Sequence, residues 1–411
     1  MAYSEGMSEE DSLTGLGGIG GGLALCAVIF FADASHSSAI PIFPFYASSL
    51  GATIMTIGAL ASASGLSRLV SSIPLGSFSD RTGRRRVMLL GMLCFVLAPL
   101  IYNYSSSPLH LFPARVILGF GMASTFSIGF VYVSEVAPIR RRGFFQGLYM
   151  TSMGIGFTLG PLAGGIVAKV WGYAASFYLS SGLAAAGLVL LLLAPEPAGR
   201  ETEWGASEDL FQGFRRVITD SRMVSAGAAN FFNSLVYSAT MVYFPLYGGS
   251  IGLDESGVGM GLTVRGLVST VSRMPTGAAL FRLGALKVMT LGLGLSALTL
   301  FALPAFDSLL VICLILGVQG VAYGVYLTSG NVYVTGEAPA DQRGTAMGVY
   351  STFSNVSGVV SPLILGAASE AWGFRGAFWA SAALALCGSV LPLLLSRRGE
   401  GSARNAAFQF P

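Results

Sequence analysis

Charge is scarce in this chain. Only 10% of its 411 residues are Asp, Glu, Lys or Arg, and 53% are hydrophobic, whereas soluble domains carry roughly 25% charged residues. A water-soluble enzyme of this length is excluded on that ground. Histidine is scarcer still, with two residues, and there are four cysteines. Cys26, Cys94, Cys313 and Cys387 all fall inside apolar runs, so they read as small buried residues with neither metal spacing nor a disulfide framework. There is no Walker-type phosphate loop, no zinc-spaced Cys/His set and no His–Glu pairing on a helix. Nothing therefore argues for an enzyme, a metal, a cofactor or a nucleic-acid partner. The first 21 residues contain no Lys or Arg. They lack the basic start of a cleavable signal peptide and read as a mobile cytoplasmic tail.

What the chain has in quantity is long apolar runs, with 55 glycines and 17 prolines among them. A membrane-crossing helix needs about 20 predominantly apolar residues. Such runs lie at 22–46, 54–77, 87–104, 110–134, 144–168 and 173–194, and again at 223–247, 256–280, 288–305, 309–334, 344–368 and 374–396. Twelve crossings put both termini on one side. With that side cytoplasmic, the inner loops and tails hold 17 of the 23 Lys and Arg residues, from Arg81 to Arg404, and the outer loops only Lys169 and Arg375. Basic loops stay inside, so the expected location is a cell (inner or plasma) membrane, multi-pass, with both termini cytoplasmic.

The sequence repeats itself at an offset of 201 residues. Pro44 and Tyr46 recur as Pro245 and Tyr247. Gly51, Gly58 and Gly65 recur as Gly252, Gly259 and Gly266, and Pro74 and Gly76 as Pro275 and Gly277. Trp171-Gly172 recurs as Trp372-Gly373. The expected division is a tail (1–21), a six-helix bundle (22–194), a cytoplasmic inter-bundle loop (195–222), a second six-helix bundle (223–396) and a tail (397–411). In the loop, Leu210, Phe211, Phe214, Val217 and Ile218 form a helical stripe, which predicts a short amphipathic helix at the membrane surface.

Between the second and third runs, Gly76, Asp80, Arg81, Gly83, Arg84 and Arg85 follow the pattern G-x-x-x-D-R-x-G-R-R. It resembles the loop signature of the major facilitator superfamily of transporters, and the two-bundle repeat extends the resemblance over nearly the whole chain. The fold implied is an all-α membrane protein of twelve transmembrane helices in two pseudo-symmetric six-helix bundles, with a substrate site between the halves near the midplane. The fifth run carries Gly156, Gly160, Pro161, Gly164 and Gly165. They match G-x-x-x-G-P-x-x-G-G, a pattern similar to that of proton-coupled drug antiporters. Pro161 removes a backbone donor and the glycines permit close packing. The eleventh run has Pro362 at the repeat position without the glycines, so the feature reads as belonging to the first half alone.

Ionisable groups at membrane depth are costly and default to functional candidates. Asp33 is the one acid well inside a run. At ~1.5 Å per residue it lies roughly 17 Å deep. It is the candidate coupling acid, and the alternative is a structural ion pair with an arginine. His36 follows at i+3, as a relay, a substrate contact or a satisfied polar residue. Arg115 opens an R-x-x-x-G-x-G element with Gly119 and Gly121. By resemblance it belongs to proton transfer, where it would face Asp33. Arg68 and Arg265 are the other deep arginines, and Arg273 reads as snorkelling to the inner surface.

Cavity-lining candidates are Arg68, Gln146, Tyr149, Asn230, Asn233, Tyr237, Arg265, Gln319, Tyr323, Tyr326 and Asn355, a mixture that suits an amphipathic organic molecule. Gly76, Asp80, Arg81, Gly83, Arg84 and Glu135 form a candidate conformational latch on the inner side, with Glu135 pairing Arg84 and Asp80 near the start of the eleventh run. The expected activity is alternating-access transport by a monomer among membrane lipids, with protons as coupling ion and antiport-type efflux of small amphipathic molecules. Symport or uptake of an organic anion is the alternative, and lipid or lysolipid movement a further one. Four arginines inside the runs, Arg273 included, against one aspartate leave the interior net positive, which favours an anionic or zwitterionic substrate.

Overall fold

The computed structural model describes residues 9–194, 220–338 and 343–407, and every regular element among them is helical. The first crossing is α1 (Glu9–Ser38) followed by α2 (Phe43–Ser49), broken where Pro44 removes a backbone donor. Next come α3 (Ile54–Thr82) and α4 (Arg84–Asn103). The fourth crossing joins α5 (Leu111–Met122) to α6 (Ile128–Val136) through a π turn, Ala123–Ser127. The run α7 (Arg142–Leu193) is two crossings that reverse at Gly172. The second half repeats the plan with α8 (Ser221–Ser238), a π turn at Ala239–Tyr243 and α9 (Phe244–Ser250). It continues through α10 (Glu255–Leu283), α11 (Ala285–Ala302), α12 (Leu309–Glu337) and α13 (Arg343–Ala407), the last reversing at Gly373.

Eight of these stretches are long and apolar enough to cross a membrane. Two of the eight, α7 and α13, each make two crossings. The less apolar stretches 221–250 and α10 complete the twelve. The positive-φ glycines among the described residues fall into pairs related by the sequence repeat: Gly51 with Gly252, Gly83 with Gly284 and Gly172 with Gly373. Side chains rarely adopt that backbone conformation, so both halves turn at equivalent places for one steric reason. Two expectations shift here. Residues from Glu9 onward are helical rather than tail, and the predicted amphipathic helix at 210–218 lies outside the described residues.

Each half has its own apolar core. Without a hydrophobic drive between helices inside lipid, close backbone approach does the packing, and the fifth-crossing glycines provide it. A methyl group on Gly156 would sit 2.5 Å from Phe30 O and 3.0 Å from Ala34 N; Gly160 and Gly164 meet the Ala34–Ser38 backbone in the same way. Ser37 Oγ adds a bond to Gly156 O at 3.1 Å.

The halves meet along two seams, α3 against residues 343–372 of α13, and residues 142–171 of α7 against α10. Contact is confined to the face away from the termini. On α3, Gly58 abuts Pro362 O, Gly65 abuts Gly358 O, and Ser62 Oγ donates to Val359 O at 2.6 Å. On α10, Gly259 abuts Pro161 O, and Thr263 Oγ1 donates to Thr158 O at 2.9 Å. These contacts are equivalent under the repeat, so the proline of the eleventh crossing has a role that the sequence assigns to the first half alone. Further along the same helical stripes, toward the termini, the faces part. Ile73 is 81% exposed, Met274 87% and Phe281 94%, and a side chain on Gly76 or Gly277 would touch nothing. The protein is therefore closed on the far face and open on the face that carries its termini.

Charged groups rim the closed face. Lys169 Nζ pairs with Asp254 at 2.7 Å, the Tyr173 hydroxyl donates to Glu255 at 2.7 Å, and Met55 N–H donates to Glu370 at 2.9 Å. Asp254 also caps α10 through Gly257 N–H. The hydrogen bond from Lys169, then that from Ser256, holds the Asp254 carboxyl down from 3.8 to about 2. A depressed carboxylate stabilises the closed state fully above 3.8, and the contribution disappears as pH falls from 3.8 to about 2. Because the pair is solvent-exposed, it contributes under ~1 kcal/mol. Lys169→Gln is expected to widen the distance between spin labels on Ser49 and Ser250 in a minor population only, and that population should be insensitive to pH between 5 and 8. Gly156→Val is expected to abolish the folded protein on size-exclusion chromatography, whereas Gly143→Val, where nothing lies within 4 Å, should fold.

Candidate functional site

At the level where the seams part, α1 presents Asp33, which is 4% exposed. Gly156 lets α7 come against it, so that an added Cβ there would lie 3.3 Å from Asp33 Cβ. The charges in reach of this carboxylate come from both halves: Arg273 of α10 and Arg68 of α3. Tyr149 of α7 and Tyr237 of α8 also lie within its field. Among the described residues Asp33 is the one acidic side chain that is buried.

Beside it is a second group built by α8, α10 and α12. Arg265, 1% exposed, donates from Nε to Gln319 Oε1 at 3.0 Å. The same oxygen accepts from Thr240 Oγ1 at 3.1 Å. Thr240 reaches it from the π turn of the seventh crossing, whose extra residue changes which side chains face inward. The Arg265 guanidinium lies 4.6 Å from the Tyr323 ring centre and 5.7 Å from that of Tyr237, and these two rings stack at 5.9 Å. Gly320 makes the approach possible, since a methyl group there would collide with Arg265 O. Arg265 Nη1 is buried without a hydrogen-bond partner.

His36 and Arg115 occupy a separate nest toward the far face. His36 lies 6.1 Å from the ring of Phe95 and 6.4 Å from that of Phe126. Arg115 places its guanidinium 3.4 Å above the ring of Phe43, in reach of His36 and Tyr102. The expected facing of Asp33 and Arg115 is thus replaced by Asp33 facing Arg273 and Arg68, with Arg68 in reach of both Asp33 and His36. Arg273 is half-buried. Its Nε is buried without a partner, and its charge acts on Asp33 and Arg265. It is the residue that sequence reasoning missed. The available signal was its spacing of two turns from Arg265 on one helix.

The other candidates have these surroundings. Gln146 donates to Ser134 Oγ at 2.8 Å, Asn230 to Tyr350 O at 2.9 Å, and Tyr326 accepts from Tyr350 at 3.2 Å. Tyr149 fills the space left by Gly129. Asn233 is buried with its Oδ1 unpaired, and Asn355 is half-buried on α13. In the loop between α3 and α4, Arg84 pairs with Asp80 on its own turn, with Ser79 at 2.7 Å and with Glu135 at 3.1 Å. Among the described residues, Asp80 is thereby engaged within the first half rather than with the eleventh crossing. Gly83 makes the turn, and Arg81 is exposed. In the second half, Glu337 takes Arg222 at 2.6 Å instead.

The chain resembles transporters throughout its length. It is 23% identical over 361 residues to the uncharacterized MFS-type transporter MJ1560 of Methanocaldococcus jannaschii, covering 87% of this chain and 93% of that protein. It is 24% identical over 387 residues to multidrug resistance protein MdtG of Klebsiella pneumoniae, covering 91% and 93%. Among solved structures, a point mutant of the nucleoside transporter NupG superposes with a TM-score of 0.78 at 16% identity, covering 91% of this chain and 99% of that one. A bacterial homologue of the human lysosomal transporter Spinster, inward-facing and unoccupied, superposes at 0.77 and 14% identity, covering 95% and 98%. The profile of the Major Facilitator Superfamily matches residues 25–247 and again 226–410, and this chain, a multi-pass membrane protein with that fold, belongs to the superfamily.

Proposed function

We propose that the protein is a proton-coupled secondary transporter that moves small amphipathic organic molecules by alternating access, with Asp33 as the coupling acid. The observation that carries this reading is the position of Asp33. It is a buried carboxylate at the junction of the two halves, above a cleft open to one face and below seams that close the other. A carboxylate so placed can exchange a proton with whichever side the seams leave open. The terminal face is read as cytoplasmic from its arginine-rich loops, which makes this an inward-open state of a monomer.

The substrate's charge sets the sign of coupling. A cation competes with the proton for Asp33 and is exchanged against it, a reading supported by relatives named multidrug resistance proteins in Bacillus subtilis and Klebsiella pneumoniae. An anion seats on guanidiniums that protonation of Asp33 leaves unbalanced, and so travels with the proton. Arg68, Arg265 and Arg273 around a single acid favour this second coupling.

Proteoliposomes with an imposed pH gradient test the reading. Wild type is expected to accumulate its substrate against a concentration gradient only while the pH gradient stands, and Asp33→Asn to retain downhill flux while losing accumulation. Accumulation by Asp33→Asn equal to wild type would remove Asp33 from coupling.

A further inference from the structure

Resting on the central cluster as the transport site, we propose that the substrate is an aromatic molecule with an acidic group that seats on Arg265, and that it binds together with a proton on Asp33. Arg265 is held on two sides. Gln319 takes its Nε, and the Tyr237–Tyr323 pair covers its face. Of the two terminal nitrogens left, Nη1 is a charged donor enclosed without an acceptor. Leaving such a donor unmet in a low-dielectric interior is costly, and a carboxylate, sulfonate or phosphate oxygen meets it with a charge-assisted bond. The tyrosine pair gives the aromatic body a flat surface beside that point.

The charge balance links this subsite to the proton. The groups whose charge reaches Asp33 are Arg68 on α3, Tyr149 on α7, Tyr237 on α8 and Arg273 on α10; His36, on its own helix, lies in the separate nest with Arg115. Ionised Asp33 offsets part of the guanidinium charge. Once protonated it offsets none, and the site's attraction for an anion rises. By linkage the anion favours the proton to the same degree.

Titration calorimetry on the purified full chain tests this with 1-naphthoate, 1-naphthyl phosphate, 1-naphthamide and 1-naphthylmethylamine. At least one anion is expected to bind about ten-fold or more tighter than the amide, the scale of a charge-assisted hydrogen bond. Its affinity should rise as pH falls from 8 to 6, with proton uptake visible as a dependence of heat on buffer. Arg265→Gln should erase the preference for anion over amide, and Asp33→Asn should bind the anion tightly at every pH. Tighter binding of the amine, equal binding of anion and amide, or a preference that survives Arg265→Gln would overturn the proposal. The wild-type comparison decides even if that variant does not fold. Failure of the transport-site reading shows separately, as proton-driven accumulation that Asp33→Asn leaves intact.

A different observation carries a second proposal, at the closed seams. Pro161 has no N–H to give its own helix, and beside it a hydroxyl from the other half bonds two backbone groups of the same turn. Leu162 N–H donates to Thr263 Oγ1 at 3.1 Å, while the Thr263 hydroxyl donates to Thr158 O at 2.9 Å. Thr263, from the other half, thus bridges a carbonyl and an amide four residues apart, the i and i+4 positions of one helical turn. Ser62, the repeat equivalent of Thr263, donates at 2.6 Å to Val359 O, the repeat equivalent of Thr158 O.

We infer that this hydroxyl is a positioning group for alternating access. It stitches the far face shut through two bonds to one turn of the partner helix, and on opening those two backbone groups keep only each other as partners, so that neither is stranded in lipid. In Thr263→Val, the ratio of closed to open far-face states, read from spin labels on Ser49 and Ser250, should fall about five-fold, as for a typical lost hydrogen bond. Thr263→Ser should restore it. An unchanged distance distribution in Thr263→Val, or loss of closure in Thr263→Ser equal to that in Thr263→Val, would overturn the assignment.

Discussion

Hydrocarbon offers no partner to a charge or to a backbone polar group, and the structure is arranged around that constraint. The guanidiniums of Arg68, Arg265 and Arg273 stay ionised in all ordinary conditions. Within the protein, Asp33 lies in the field of Arg68 and Arg273, and Gln319 and the faces of Tyr237 and Tyr323 meet Arg265. Because these groups come from α1, α3, α8, α10 and α12, the polar centre belongs to both halves. On the alternating access proposed above, motion of one half against the other would change who meets which charge, and such a site would couple occupancy to conformation without a dedicated relay.

The same constraint shapes the seams. Helices that cross at backbone contact need glycine where they touch, as at Gly58, Gly65 and Gly259, and the exposed carbonyls beside Pro161 and Pro362 need donors. The chain uses one solution twice. Ser62 against Val359 and Thr263 against Thr158 are repeat-related pairs. Symmetric seams let both sides of the molecule part together, whereas a single latch would pry one side. The charged loop at Gly76–Arg85 is different in kind. Its Arg84 gathers Asp80 and Glu135 within one half, and its second-half counterpart uses Arg222 with Glu337.

Much of this was legible in the order of residues. Twelve apolar runs, a repeat at fixed offset, and basic loops on one side lead to two six-helix bundles before any coordinates, because lipid restricts a chain to helices of set length. Asp33 stood out for the same reason, as an acid where acids are expensive. Its partners did not stand out. Arg115 shares with Asp33 a pair of cavity-lining helices, yet it points to Phe43. Arg273 sits late enough on α10 to suggest snorkelling, yet its Nε is buried and its charge reaches Asp33. The direction of a side chain at membrane depth depends on crossing geometry, which no local pattern encodes.

The scarcity of charge and the lengths of the apolar runs thus determined, by themselves, that the chain lives in a bilayer, how many times it crosses, and which rare charges lie at membrane depth. Desolvation is a property of composition and holds whatever the helices do. Which arginine meets Asp33, that Arg265 keeps an unmet donor beside two stacked tyrosines, and that Thr263 bridges Thr158 and Leu162 beside Pro161 were decided only by tertiary structure. Each of these needs groups far apart in the chain, or on opposite halves, brought within hydrogen-bond or Coulomb range by the way two bundles pack.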